Sequence, residues 1–556
     1  MEALEGRYPF FSRWEGQLGW PPNFNLDPLN GHAWPTGKSW LDTARSGPPR
    51  DDIKLVWEAS RFTLAFYLAR EFARTGDERW AEAFWEMLDA WVEQNPVNES
   101  VAWACGQETA FRLFAILLAA FATLNSSAAT EPRLSKLELL CWQFGKRIRA
   151  NINYALSQEN NHGISEAVGL WTVGLLFPEF RESKQWIMTG EKHLVGEVER
   201  QVYADGSFVQ HSMSYHRVML DDLCWYAALC QANGRRMDSL VMNRGRAATD
   251  WLSNIVDTRN GRVPNYGSND GANVLPLSCS DYLDYRPTLQ CSAQLFDVPV
   301  GLNRGEWDEK TLWMTGRFPI QAARQQDTHW QARAGGYFLL NGPNSRSFVR
   351  ATTYRDRPCQ CDMLHLDLWY RGHNILRDAG SYFYYHKDKS VKDYFYSVRA
   401  HNTASIDGVE QMTKGPNFLW FHWPPGEAHF EGANRLCCRA KFSVGKKFEH
   451  RRTVDRVGDC YTVADSIDTA EAFTVTWRLA PELIWVRSGD SGFQTEIDGE
   501  PFVVRFQGLG GGVIHESTAF ESLYYGERSE VPMVQVRGAY SEVVTQIGPT
   551  PLRQGN

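Results

Sequence analysis

Three short stretches concentrate residues able to move protons or hold anions. The first is Asn160-Asn161-His162-Gly163. An Asn ahead of a helical segment is a common cap, because its carboxamide accepts a backbone N–H that the first turn leaves unpaired. One Asn is explained that way. A second Asn and an adjacent imidazole add donors at a helix N-terminus, which already favours negative charge, and so suit a carboxylate. The second stretch runs from Asp205-Gly206-Ser207 through Gln210-His211-Ser212 to Tyr215-His216-Arg217. Asp-Gly-Ser signals a turn, after which Tyr215 and His216 open a helix. A core phenol with a satisfied hydroxyl would explain Tyr215 alone. Two imidazoles and a guanidinium within a few residues point to a polar cleft.

The third stretch comprises Gln360-Cys361-Asp362, His365, Asp378 and His401-Asn402. His365 and Asp367 are two apart, so on a strand they share a face. Such a row is either solvent-facing polarity or the start of a metal or imidazole site.

These groups need elements to position them. Residues 1 to about 50, rich in Pro, Gly, Asn and Trp, read as an ordered extended arm. Segments 53–75, 77–94, 106–125, 134–157, 163–177, 185–203, 214–233 and 238–257 carry apolar residues at helical spacing. Gly76-Asp77, Asn95-Pro96, Pro178 and Gly234 punctuate them. Helical hairpins without a strict sequence repeat predict a closed or nearly closed α/α toroid rather than a solenoid. The helical signal fades between Gly301 and Asp327. Beyond it GGYFLLNG, RSFVRATT, MLHLDLWYRG, TASIDG, CYTVADSID, FTVTWRLA and PFVVRFQG show the period of two, or the Val, Phe, Tyr and Thr content, of strands. The expectation is an α+β multidomain chain: residues 1–325 an incomplete α/α barrel with its arm, residues 326–556 an antiparallel β-sandwich.

Composition narrows the partners. The chain has 556 residues, a formal net charge of −8 and no basic tract beyond pairs such as Lys446-Lys447. Nucleic acid is therefore not an expected partner. An acidic polysaccharide is compatible, because a local cluster of Arg, His and Asn can form within an acidic protein. With 22 Trp, 21 Tyr and 30 Phe, the chain has rings enough both for cores and for a cleft that stacks on pyranose faces. The eleven cysteines match no zinc-ribbon spacing and read as buried free thiols. No signal peptide is visible at the start, so the chain as written reads as cytoplasmic, or as periplasmic or secreted if the start is processed. The apolar stretch Leu113 to Leu124 is too short to span a bilayer.

Taken together, ENNHGISEAVGLW, DGSFVQHSMSYH, LHLDLWYRGHNILRDAGSYFYY, SVRAHNTASIDGVEQ and DIKLVWEASRF resemble, in order and placement, the motifs of the heparinase II/III and alginate lyase superfamily. The resemblance implies β-elimination on a uronic-acid polysaccharide, leaving 4,5-unsaturated ends. It implies that Asn161 and His162 neutralise the carboxylate, that Tyr215 is general acid and, in a syn geometry, also base, and that His401 is a base partner or metal ligand. Asn160, Trp57, Arg61, Gln107, Arg112, Gln210, His216 and Arg217 are substrate-binding candidates, the three arginines as carboxylate clamps.

The elimination itself requires no cofactor. Many relatives hold a structural zinc through a His in an H-x-D motif, an Asp before a Gly, and a later His. Asp378 and His401 fit the last two, with His365 as a further candidate. Gln360, a poor zinc ligand, stands at the first. Where some relatives carry a catalytic His this chain reads Arg357-Pro358-Cys359. Two other readings stay open. A glycoside hydrolase would need two flanking carboxylates, with Asp52, Glu58, Glu108, Glu166 and Asp205 as candidates. A protein of the same fold that binds a polysaccharide without turnover is the other.

Overall fold

The computed structural model describes residues 2–46, 52–356, 358–386, 388–416, 418–469, 471–507, 512–538 and 541–550. The helical half contains α1 (Trp40–Ser46), α2 (Lys54–Ser60), α3 (Thr63–Thr75), α4 (Glu78–Gln94), α5 (Gly106–Ala122), α6 (Glu131–Ser157), α7 (Asn161–Leu176), α8 (Ser183–Gln201), α9 (Met213–Ala232), α10 (Ser239–Ile255), α11 (Arg286–Phe296) and α12 (Asp308–Thr315). Sequence-adjacent helices pack as hairpins, and α5, α7 and α9 pack side by side. The result is an α/α toroid.

Helical periodicity located the long helices but not every break. The stretch read as one helix over 53–75 divides because Phe62 sits at φ 61° in left-handed backbone, which ends α2 and starts α3. Helix α1 lies in the arm and α12 in the stretch where the pattern faded. Both are short, so few turns carried a signal. The arm adds the hairpin Arg7–Phe10 with Trp14–Gln17. Six tryptophans (Trp85, Trp91, Trp103, Trp171, Trp186 and Trp251) are fully buried in the helical half, so much of the aromatic content builds core.

The C-terminal half is a sandwich of antiparallel sheets. Strands His329–Ala332, Tyr337–Asn341, Ser345–Arg350, Leu366–Tyr370 and His373–Leu376 form a five-stranded meander. An eight-stranded sheet is centred on Phe448–Val457, Cys460–Ile467 and Val543–Pro549, and a four-stranded sheet on Phe473–Arg478 and Ser529–Gly538. Arg435–Phe442 alternates buried and exposed, so one face is wet, whereas Phe473–Arg478 is buried throughout. Leu340, Val454, Val475 and Val504, from all three sheets, meet in one core. Helix α13 (Lys389–Tyr396) interrupts the sandwich.

The halves share a boundary core. Tyr337, Leu339, Phe348 and Tyr525 of the β half belong to the apolar cluster of the toroid. The Tyr337 hydroxyl accepts from the Tyr266 hydroxyl at 2.6 Å and from the Arg350 guanidinium at 3.1 Å, with His211 Nδ1 also at 3.1 Å. All eleven cysteines are free thiols. Among the described residues no helix is long and apolar enough to cross a membrane.

Candidate active site

Two helix N-termini meet at the toroid's cleft, and each is set by a local device. Ahead of α7, Glu159 takes left-handed backbone (φ 51°), and the Asn160 carboxamide accepts the His162 N–H at 3.1 Å. Ahead of α9, Gly206 turns at φ 85°, where a Cβ would stand 2.0 Å from the Ala247 carbonyl oxygen, so only glycine fits. Asp205 accepts the Ser207 N–H at 3.1 Å and, from the β half, the Ala334 N–H at 2.6 Å. His211 is left-handed (φ 47°), and Ser212 then caps α9 by accepting the Tyr215 N–H at 3.2 Å. Gln210 joins the two starts, because its Oε1 accepts the Asn161 N–H at 2.7 Å.

A buried chain braces the helices beneath. Gln107 Nε2 on α5 donates to Ser165 Oγ on α7 at 3.0 Å, and Ser165 Oγ donates to Asp222 on α9 at 2.5 Å. Burial pushes the Asp222 carboxyl well above the usual carboxylate range.

The cleft encloses about 580 Å³. Trp34, Asp52, Lys54, Trp57, Gln107, Glu108, Tyr154, Asn160, Asn161, His162, Gln210, Tyr215 and Asp270 line it from the helical half. Pro358, Cys359, Tyr384, Tyr385, Tyr396, Lys414, Phe418 and Trp420 line it from the β half. The phenols of Tyr215 and Tyr384 are hydrogen-bonded across the domain boundary. Burial, reinforced by the neighbouring Tyr215, pushes Tyr384 well above the usual tyrosine value. Tyr384 therefore keeps its proton and can donate it to Tyr215 in a hydrogen bond. The Lys54 ammonium lies 5.2 Å from the centre of the Tyr384 ring and pairs with Asp270 at 2.8 Å. Burial alone would raise Asp270, but Lys54 and Arg61 outweigh it and hold the carboxyl at about 2.

The structure brings Asn160, Asn161, His162, Tyr215, Gln107, Gln210 and Trp57 together as candidates on one cleft. It does not do so for the three arginines. Arg61 is committed to Glu108 at 2.6 and 2.7 Å and to Glu58 at 2.7 Å. Arg112 donates to the Ser60 and Ala102 carbonyls beneath the Trp91 ring. Arg217 donates to the Tyr282 carbonyl at 2.5 Å between the rings of Tyr282 and Tyr285. All three are buried structural cations, not carboxylate clamps. His216 is also core: it stacks on Trp251 at 4.4 Å, its Nε2 meets the Ala248 carbonyl, and burial lowers its pKa to about 4.

The third stretch also departs from expectation. Gln360 is buried, with Oε1 accepting the Gly267 N–H at 3.0 Å and Nε2 donating to the Gly380 and Phe395 carbonyls. Its amide is spent on backbone and is no metal ligand. His401 is fully buried on Asp378, with Nδ1 to Oδ2 at 2.9 Å, and it is not part of the cleft wall. It does not face a substrate as a base would. Donor atoms of His365, Asp378 and His401 do cluster within 4.8 Å, and His401 Nε2 is buried without a hydrogen-bond partner. His365 Nδ1, however, accepts the Asn402 N–H at 2.9 Å. A neutral imidazole then carries its proton on Nε2, the atom facing Asp367 at 3.2 Å and Asp378 at 3.5 Å. A cation would need that lone pair, so the three residues do not fit a divalent metal as they stand. Arg357 lies outside the described residues.

The carboxylates a hydrolase would use are occupied. Glu58 and Glu108 both hold Arg61. Glu166 is buried beneath the Asn151 amide, Asp52 accepts the Tyr525 hydroxyl, and Asp205 holds its own turn. Reading by residue type missed Tyr384, Lys54, Asp270, Lys414 and Trp420. The one visible signal was the aromatic run Tyr382-Phe383-Tyr384-Tyr385 inside a motif taken for sandwich structure.

Residues 16–249 match the family described as Heparinase II/III N-terminus, and residues 324–547 match Heparinase II/III-like, C-terminal. The chain is similar to the heparin-sulfate lyase of Bacteroides thetaiotaomicron, 25% identical over 414 residues, covering 68% of this chain and 56% of that one. It is also similar to the heparin-sulfate lyase of Pedobacter heparinus, 29% identical over 389 residues, covering 67% and 55%. The chain thus spans little more than half the length of these curated relatives. Among solved structures, a heparinase III crystal structure shares the fold with a TM-score of 0.70 at 18% identity, covering 95% of this chain and 82% of that one. The chondroitin AC lyase of Streptomyces coelicolor A3, solved with chondroitin sulphate, gives 0.54 at 15% identity, covering 92% and 82%.

Proposed function

Because the chain belongs to the heparinase II/III family, we propose that it is a polysaccharide lyase that cleaves a uronic-acid glycan by β-elimination in this cleft. The observation that carries the proposal is the meeting of Asn161, His162 and the Tyr215–Tyr384 pair on one wall-to-wall site. The heparin-sulfate lyases to which the chain is similar support the same reaction class.

The C5 proton of a uronate is weakly acidic because its loss puts a second negative charge beside the carboxylate. Donors on the carboxylate lower that cost. Asn161 and His162 are suited to this, since they open α7 where the helix N-terminus favours an anion. Tyr215, as phenolate, takes the C5 proton. The C4–O4 bond breaks, the C4–C5 double bond forms, and Tyr215 returns the proton to the departing oxygen. A protonated Tyr384 stabilises the phenolate by donating to it. His162 is the imidazole on the same cleft, the alternative to Tyr215 as base if Asn161 alone holds the carboxylate. No step passes through a metal.

The test is ultraviolet absorbance on a panel of uronic polysaccharides, with Tyr215→Phe and Asn161→Ala alongside. Absorbance from an unsaturated uronate that both variants abolish supports the proposal. New reducing ends without absorbance would replace it with hydrolysis. Glycan binding with neither signal would replace it with non-catalytic recognition.

A further inference from the structure

A second feature of the cleft lies on its β-half wall. Helix α13 ends at Tyr396, and Lys389, Lys392 and Tyr396 fall on one helical face at i, i+3 and i+7. Lys414 comes from a different element, a two-residue strand that pairs with Trp420. Both elements deliver an ammonium to the same ring. Lys414 Nζ lies 5.5 Å from the Tyr396 centroid and 5.1 Å from that of Trp420, and Lys392 Nζ lies 6.0 Å from Tyr396. Tyr396 and Trp420 meet edge to face at 6.2 Å. Tyr396, Trp420 and Lys414 line the cleft that holds Asn161 and Tyr215.

Two half-buried ammonium groups that meet on one ring repel each other, and an anion bound beside both would relieve that repulsion. Ring faces attract cations but do not neutralise them. Partial burial lowers both lysines; Lys389 adds to this at Lys392, and Lys392 and Lys389 do so at Lys414. Asp393 opposes this at both lysines and Asp52 of the opposite wall does so at Lys392, while the Lys414 ammonium donates to the Gly415 carbonyl at 3.4 Å. A row of solvated lysines on one helix would explain Lys389 and Lys392. It does not explain why a strand brings Lys414 onto the same aromatic pair.

We infer that Lys392 and Lys414, over the Tyr396–Trp420 pair, form a subsite for a second anionic group of the glycan, on a sugar neighbouring the one whose carboxylate meets Asn161. The proposal rests on the lyase reading of this cleft. The ligand chemistry is an oxyanion on a pyranose, either the carboxylate of another uronate or a sulfate ester. The rings contact the sugar's apolar face while the ammonium groups meet the anion.

The test uses the full chain with Lys392→Gln, Lys414→Gln, the double variant and Lys414→Arg. Two oligosaccharides of one backbone, unsulfated and sulfated, are the probes. Each neutralisation should raise KM up to about fivefold, with a much smaller effect on kcat, and Lys414→Arg should restore it. Calorimetric binding to Tyr215→Phe, which holds substrate without turning it over, should weaken in parallel and lose part of its salt dependence. A KM rise on both probes names the carboxylate; a rise on the sulfated probe alone names sulfate. KM and binding unchanged on both would overturn the subsite while leaving the lyase intact. Absence of elimination in the unsubstituted protein, with lysine-dependent binding retained, would overturn the lyase and keep the subsite.

Discussion

The phenol of Tyr215, in the first turn of α9, is hydrogen-bonded to the phenol of Tyr384, which the β half supplies from 169 residues downstream. The proposed acid–base group thus belongs to one half of the molecule and the group that tunes it to the other. A toroid alone would lack the second phenol.

Removing the Tyr215 hydroxyl should remove both proton transfers. Tyr215→Phe is expected to lower kcat about 10³-fold with KM changed little, a loss typical of general acid–base groups. Asn161→Ala should lower kcat/KM about 10²- to 10³-fold by leaving the developing charge without a donor. Initial rates of unsaturated-product formation measure both.

Tyr384→Phe keeps the ring but deletes the donor. Without it the Tyr215 phenolate is less stable, so the Tyr215 pKa rises and the ascending limb of the rate–pH profile moves to higher pH. A hydrogen bond to a charged group is worth about 1.5–3 kcal/mol, so the limb should move by about one to two pH units. A profile that keeps its position and only loses height would assign Tyr384 to packing.

Chelation should leave turnover unchanged, because His365 presents a proton rather than a lone pair to Asp378. His401→Ala should lower the melting temperature by cutting the buried contact to Asp378. Rates and melting curves before and after exhaustive dialysis against a chelator decide this. Loss of turnover that added zinc restores would contradict it.

Glu166 makes a separate claim about stability. Burial raises its pKa to about 8, against 4.5 when exposed, although Asn151 donates to both its oxygens. The folded state therefore holds this proton more tightly than the unfolded state. The contribution is fully present below pH 4.5 and is lost as pH rises towards 8. Glu166→Gln, a mimic of the protonated acid, should match the unsubstituted protein at pH 4.5 and melt at a higher temperature above pH 8. Thermal scans across this range provide the check; a gap that stays constant with pH would refute the assignment.

Much of the site was readable in the sequence where local rules govern it. Asn160 is a cap, Gly206 a turn that admits no side chain, and Tyr215 a first-turn residue held by Ser212. Those roles depend on neighbours a few residues away. The arginines were misread because residue type says nothing about which carbonyl or carboxylate lies opposite: Arg61 finds Glu108 47 residues later, and Arg217 finds the Tyr282 carbonyl 65 residues later. Tyr384, Lys414 and Trp420 escaped for the same reason, since they become cleft residues only when the sandwich closes on the toroid. Gln360 stood at a position expected to bind metal and instead ties the Gly267, Gly380 and Phe395 backbones together.

The central claim is that the bond breaks by elimination at Tyr215. It is tested most directly by cleaving a uronic oligosaccharide in heavy-oxygen water and weighing the products. Elimination takes no oxygen from solvent. The account predicts one fragment that is lighter by a water than its hydrolytic counterpart, no heavy oxygen introduced by the cleavage, and loss of both fragments in Tyr215→Phe. Two fragments that together weigh the substrate plus one water, with no unsaturated fragment, would contradict it.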